Sequence, residues 1–164
     1  MRMDDISGPE LMVEKLEASL RTDAIRGLVE LIGGKRGFKK LQVEEFLAEV
    51  LRRHEKTPCG LGRGLAFPNA RTDSISTPCL AVGYSRPGLN CGGKDGSPAH
   101  VILLYLGRAT PSEGERAMLG RLSRAFADPA FAERLVFSDG SREMWEVLTS
   151  IDRETTVGLR GGKA

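Results

Sequence analysis

The run Val101-Ile102-Leu103-Leu104-Tyr105-Leu106 is the longest apolar stretch in the chain. It is far shorter than the roughly 20 apolar residues that a membrane-spanning helix needs. At strand length and without polar alternation, the segment from His100 to Leu106 reads as a central β-strand covered on both faces. Such a strand needs apolar helix faces to cover it, and the flanking sequence supplies them. On the N-terminal side, Leu11, Met12, Leu16 and Leu20 recur at helical spacing over Glu10 to Leu20. Ile25, Leu28, Val29 and Ile32 form the stripe of a second helix, capped by Asp23 and stopped by Gly33-Gly34. The spacing leaves open whether these are one interrupted helix or two. Lys35 to Lys40 reads as a solvated basic turn, and Gln42 to Arg53 as a further helix with Val43, Phe46, Leu47, Val50 and Leu51 on its apolar side.

The segment Thr57 to Thr77 changes texture to loop and short strand, Leu80 to Ser85 is a second strand, and Pro87 to Gly96 is a turn-rich connection. Helical periodicity resumes at Ser112, with Met118, Leu119, Leu122, Ala125 and Phe126 on one stripe. Asp128 or Pro129 opens a short helix through Leu135, and Ser141 caps a last one, Arg142 to Ile151. Helices at both ends around two or three strands predict an α/β fold. One domain is expected over residues 11–152, with a flexible leader at 1–10 and a flexible, glycine-bearing tail at 153–164.

Composition narrows the function classes. A formal net charge of +2 over 164 residues gives no electrostatic case for nucleic acid or an anionic membrane as partner. Met1 to Glu10 carries acids and no apolar signal core, so a cytoplasmic protein is expected. Cys59, Cys79 and Cys91 have no metal or redox spacing and read as free thiols in a reducing compartment. His54 and His100 stand outside any metal-like cluster, so no metal and no cofactor is expected.

The informative segment is Arg53-His54-Glu55-Lys56-Thr57-Pro58-Cys59-Gly60-Leu61-Gly62-Arg63-Gly64-Leu65-Ala66-Phe67-Pro68-Asn69-Ala70-Arg71. Its three spaced glycines predict a backbone that turns tightly and approaches something closely. Taken as a whole, the string is similar to the active-site signature of enzyme IIA domains of the fructose/mannitol class, nitrogen-regulatory members included. Gly60, Gly62, Gly64, Ala66 and Pro68 match in register, and Leu61, Leu65 and Phe67 are apolar where the signature is apolar. Downstream, Asp95-Gly96-Ser97-Pro98 leads into the buried strand as the family's Asp-x-x-Pro step does. Leu119, Leu122, the break Asp128-Pro129-Ala130-Phe131 and Leu135 keep the register, while Arg116 replaces a leucine. The resemblance spans roughly residues 11–150 and implies a small mixed β-sheet covered by helices on both faces.

The resemblance also implies phosphoryl transfer from the small histidine-carrier protein HPr to a histidine after Ala-Ile-Pro, with a second histidine opening a later helix. Here those positions hold Asn69 and Glu115. Transfer needs an imidazole nitrogen with a free lone pair; the lone pair of an amide is delocalised into its carbonyl. A carboxylate at position 115 would repel a phosphoryl group. The glutamate of the family's Arg-Glu pair is His54, beside a retained Arg53, and the threonine before the first glycine is Cys59.

Two functions follow as expectations. The first is a non-phosphorylatable regulatory domain that binds a protein partner: an HPr-like carrier, a kinase, a transporter or a transcription regulator. The second is an active phosphocarrier with an unconventional acceptor, His54 being the candidate. A generic α/β ligand-binding domain is a third. The expected pocket consists of Arg53, His54, Gly60, Gly62, Gly64 and Arg71, and Arg53, Arg63 and Arg71 either complete an anion cradle with backbone N–H groups or are surface charges.

Overall fold

A computed structural model describes the backbone of residues 1–161 and the side chains of residues 1–153. Two long strands form the centre: β5 (Cys79–Leu89) and β6 (Ala99–Arg108), paired antiparallel with Leu80 opposite Tyr105 and Val82 opposite Leu103. Every residue from Val101 to Leu106 is buried, as a strand covered on both faces requires. β1 (Met12–Val13) adds in parallel to the free side of β5. Along the other side of β6 lie β3 (Leu65–Ala66) and then β4 (Asn69–Thr72), both parallel to it, and β2 (Gly60–Gly62) pairs antiparallel with β3. The result is a mixed sheet with helices on both faces, as the resemblance implies, but of six strands where periodicity predicts two or three.

Helix α1 spans Met3–Ile6, α2 Arg21–Arg36 and α3 Lys40–Lys56. α4 spans Glu113–Ala127, α5 Pro129–Val136 and α6 Gly140–Gly161. The start of α4 and of α5 follow their sequence signals. Ser112 Oγ accepts the Glu115 N–H at 3.2 Å, and Asp128 Oδ1 accepts the Ala130 N–H at 3.0 Å ahead of Pro129. These side chains satisfy N–H groups that a first helical turn leaves unpaired.

Five expectations are corrected. The leader is packed: Met3 and Ile6 on α1 are fully buried, and the Asp152 carboxylate of α6 accepts the Met3 N–H at 3.1 Å. Glu10 to Leu20 is not a helix. Pro9–Leu11 makes one 3₁₀ turn, Met12 and Val13 pair with Val82 and Gly83, and Leu20 is exposed. Tertiary pairing overrides the periodicity here. Helix α2 runs through Gly33-Gly34 and stops at Gly37, whose φ of 72° closes it in the left-handed conformation. Gly33 is needed because a Cβ there would lie 2.5 Å from Val43 Cγ2 of α3. Strand β5 continues through Pro87 and Gly88, where a shift in register between Tyr84 and Leu89 absorbs the proline's missing N–H. Helix α6 passes the expected end at Ile151, and the end of the expected tail, 162–164, lies outside the described residues.

Candidate functional site

The glycine segment folds as a hairpin. Gly62 pairs with Leu65 across the two residues Arg63 and Gly64, which have φ of 55° and 82°. That is the twist a two-residue hairpin requires, and it explains the glycine. The Asp95 carboxylate fastens the turn: it accepts the Arg63 N–H at 2.9 Å and both the N–H and the hydroxyl of Ser97, at 3.0 and 2.7 Å. These bonds, the Arg63 amide first, hold the Asp95 carboxyl down to about 2.

The hairpin's close approach is to its own chain. The Gly60 N–H donates to the Cys91 carbonyl at 2.9 Å, and a Cβ at Gly60 would lie 2.6 Å from the Gly93 nitrogen. A Cβ at Gly62 would meet the Asp95 carboxylate and one at Gly64 would meet Val136. Gly64 and Arg71, both expected in one pocket, line different concavities. Gly64 borders a groove with Tyr84, His100 and Phe137, whereas Arg71 borders a separate concavity that it shares with Glu45, Glu49 and Asp73. Three carboxylates around one guanidinium do not favour an anion.

Position 69 is built differently. The chain leaves β3 at Ala66, steps over Phe67 and Pro68, and rejoins the same neighbour as β4. The Tyr105 N–H donates to the Pro68 carbonyl at 3.0 Å, and Asn69 lies opposite Tyr105. The Asn69 N–H donates to His54 Nε2 at 3.0 Å, and the Asn69 side-chain Nδ2 donates to the Phe67 carbonyl at 2.9 Å. His54 is buried at the end of α3, and its Nδ1–H donates to the Thr57 carbonyl at 2.8 Å. Both ring nitrogens are thus engaged, which fixes the neutral Nδ1–H tautomer. Burial pushes the His54 imidazole below its ordinary range, and its two backbone partners and the neighbouring Arg53 charge modify that shift. Sequence reading singled out His54 and Asn69 separately; the fold joins them.

Glu115 occupies the third position of α4 and is 1% exposed. Its carboxylate accepts the Ser112 N–H at 3.5 Å, completing the capping box, and pairs with the Arg108 guanidinium at 3.4 Å. Among the described residues, no hydrogen bond or ion pair joins Glu115 to Asn69. Tyr105 lies between them: its backbone is in register with Asn69, and its buried hydroxyl, which lacks a hydrogen-bond partner, is pushed up to about 12 by burial and then by the Glu115 charge. Residues directly opposite on neighbouring strands share a face, so Asn69 and Arg71 lie on the same face of this edge as the buried Tyr105 and Gly107. Asn69 is half-buried there, Arg71 and Arg53 are exposed. Tyr105 and Arg108 carried no signal in sequence, because both belong to an otherwise ordinary strand. The Asp95-x-Ser97 spacing did carry one, that of a side chain closing a turn on the backbone two residues on.

Residues 8–151 match the family described as the phosphoenolpyruvate-dependent sugar phosphotransferase system, EIIA 2. Three relatives are similar in sequence. The fructose-specific EIIA component of Haloferax volcanii is 28% identical over 105 residues, 64% of this chain and 68% of that protein. The fructose-specific EIIABC component of Bacillus subtilis is 25% identical over 110 residues, 67% of this chain. The 2-O-alpha-mannosyl-D-glycerate-specific EIIABC component of Escherichia coli is 31% identical over 118 residues, 70% of this chain. The chain matches only 17% and 18% of the length of those two larger proteins. In fold it resembles nitrogen regulatory protein IIA-Ntr from Neisseria meningitidis, with a TM-score of 0.76 at 19% identity over 88% of this chain and 97% of that one. It also resembles IIA mannitol from Escherichia coli, with a TM-score of 0.68 at 22% identity over 86% and 97%, and enzyme IIAMTL in an Escherichia coli complex with phosphorylated enzyme IIBMTL, with a TM-score of 0.70 at 22% identity over 87% and 96%. A match over residues 8–151 leaves little of the chain unassigned: it belongs to the EIIA 2 family of the sugar phosphotransferase system.

Proposed function

We propose that this chain is a IIA-type domain that does not carry phosphate and acts through contacts with other proteins of the phosphotransferase system. The observation that supports this most directly is the side chain at position 69. It is an amide, and its nitrogen donates to the Phe67 carbonyl. An amide nitrogen has no lone pair to give to phosphorus, and a phosphoramidate cannot form on it. The partner class is a protein that reads this edge of the sheet, such as an HPr-like carrier, a IIB-like component, a kinase, a transporter or a transcription regulator. Asn69, Arg71 and Arg53 would form part of the face it meets. No described helix is long and apolar enough to cross a membrane.

The alternative acceptor, His54, has little geometric support. Its Nε2 lone pair takes the Asn69 N–H and its Nδ1–H is held by Thr57. Attack on phosphorus would first have to break the main-chain contact that positions residue 69. The test is incubation with phosphoenolpyruvate, enzyme I and HPr, followed by intact-mass measurement. The expected result is no gain of phosphate. An acid-labile gain that disappears in His54→Ala would overturn the reading. Asn69→His is expected to recover only partial transfer while Glu115 remains, and less than Asn69→His combined with Glu115→His in the same assay.

A further inference from the structure

Two of the three cysteines lie together in the fold although they stand 32 positions apart in sequence. Cys59 and Cys91 are 3% and 2% exposed. The residue after Cys59 donates its N–H to the carbonyl of Cys91 at 2.9 Å, so the two backbones run side by side. Each thiol is the strongest influence on the other's ionisation, and the Arg21 charge acts on both. Cys79, the third thiol, is also buried, but its Sγ faces the Thr77 carbonyl at 3.7 Å. Cys59 is held on both sides of the hairpin, since the Phe67 N–H donates to its carbonyl at 2.8 Å.

We propose that Cys59 and Cys91 form an oxidisable dithiol, which a hydroperoxide converts into a disulfide joining the segment before the glycine hairpin to the segment after β5. The neighbouring Cys91 thiol, with Arg21 adding to the effect, pulls the Cys59 thiol below its usual range, while Cys59 and then burial push Cys91 upward. The attacking sulfur is the one that ionises, here taken as Cys59. Its thiolate attacks the distal peroxide oxygen, breaking the O–O bond and releasing an alcohol, or water from hydrogen peroxide, once the leaving oxygen takes a proton. The Cys59 sulfenic acid is then attacked by the Cys91 sulfur, which loses its proton as the S–O bond breaks and a second water leaves. Two thiols lose two electrons and two protons, and the peroxide is reduced. Burial sets the rate, because the oxidant enters through local opening of the segment.

The bond would reach the site at the sheet edge. Thr57, two residues before Cys59, holds His54 Nδ1, and His54 Nε2 holds the Asn69 N–H. Anchoring Cys59 to Cys91 therefore acts on a chain of hydrogen bonds that ends at residue 69.

The experiment treats the full reduced chain with hydrogen peroxide under native conditions, followed by intact-mass measurement, peptide mapping and amide NMR. The expected result is loss of two hydrogens, a peptide linking Cys59 to Cys91, unmodified Cys79, full reversal by dithiothreitol, and a shift of the Asn69 amide resonance. In Cys91→Ser, dimedone is expected to trap a sulfenic acid on Cys59. Phenylarsine oxide, which bridges paired thiols, tests their apposition without oxidation: wild type should bind one equivalent and Cys59→Ser or Cys91→Ser none. Oxidation that falls on Cys79, or failure of both peroxide and the arsenical to join Cys59 and Cys91, would overturn the proposal. A disulfide that leaves the Asn69 resonance unmoved would overturn its link to the sheet edge. None of these readouts involves phosphate, so they stand or fall apart from the phosphoryl-transfer assay.

Discussion

His54 is the residue on which the candidate site rests, and its role is to hold. One ring nitrogen gives a proton to Thr57 and the other receives one from Asn69. Both bonds need a neutral imidazole in one tautomer. Burial lowers its folded-state pKa, while in the unfolded chain it titrates near about 6.5. Protons therefore favour the unfolded state. The stability from the neutral ring is complete above roughly pH 6.5 and declines as pH falls through that value toward the lower folded-state pKa. Urea denaturation of wild type between about pH 7.5 and about pH 5 should show this loss, since His is the side chain that titrates in that window. His54→Phe should lack that slope and be less stable at the upper end by about 1–3 kcal/mol, because a buried N–H and carbonyl lose their partner. A variant that keeps the slope would assign the titration to another group.

Among the elements, the glycine hairpin responds most sharply to small changes. Gly60→Ala puts a methyl against the backbone at Gly93 and Cys91, at 2.6 and 2.8 Å, where no side chain can move aside. A loss of about 1–3 kcal/mol is expected, as for overpacked sites generally. Gly27→Ala is the opposite case: it lies in α2 with nothing within 4 Å of the added carbon. There the same substitution should stabilise by about 0.4–1 kcal/mol, through helix propensity and a less flexible unfolded chain. Chemical denaturation of both variants checks the pair of signs. The elements legible in sequence are those whose signals are local. Ser112 and Asp128 start α4 and α5 where a capping side chain must, and the apolar run of β6 announces its double cover. The elements that were missed depend on partners far along the chain. β1 exists because Met12 and Val13 find Val82 and Gly83, the bounds of the short strands expected within Thr57 to Thr77 are set by the edge that β6 offers, and Gly33 inside α2 leaves room for a Val43 methyl. The site divides in the same way. Asn69 and Glu115 could be singled out by register, but the pairing of His54 with Asn69 and of Glu115 with Arg108 could not, since neither follows from spacing.

At the scale of the whole molecule, the N-terminal segment is fastened to α6, α4 and β5. Asp152 receives the Met3 N–H, Arg121 donates to the Met1 carbonyl at 2.5 Å, and the Ser7 hydroxyl donates to the Leu80 carbonyl at 2.6 Å. Deleting residues 1–7 uncovers the pocket of Met3 and Ile6, each side chain contributing about 1.5–3 kcal/mol by burial. A loss of that size should lower the melting temperature by roughly 10 °C for a chain of this length, read by thermal circular dichroism; an unchanged melting temperature would show that the segment is ornamental to stability. The sheet edge carries a different lesson. Residue 69 is gripped by its main chain, through the Tyr105 pairing and the His54 ring, while its own side chain only folds back on Phe67. The socket does not depend on what is plugged into it. On the proposed reading, such a scaffold exchanges a reactive group for an inert one and keeps the contour that a protein partner meets.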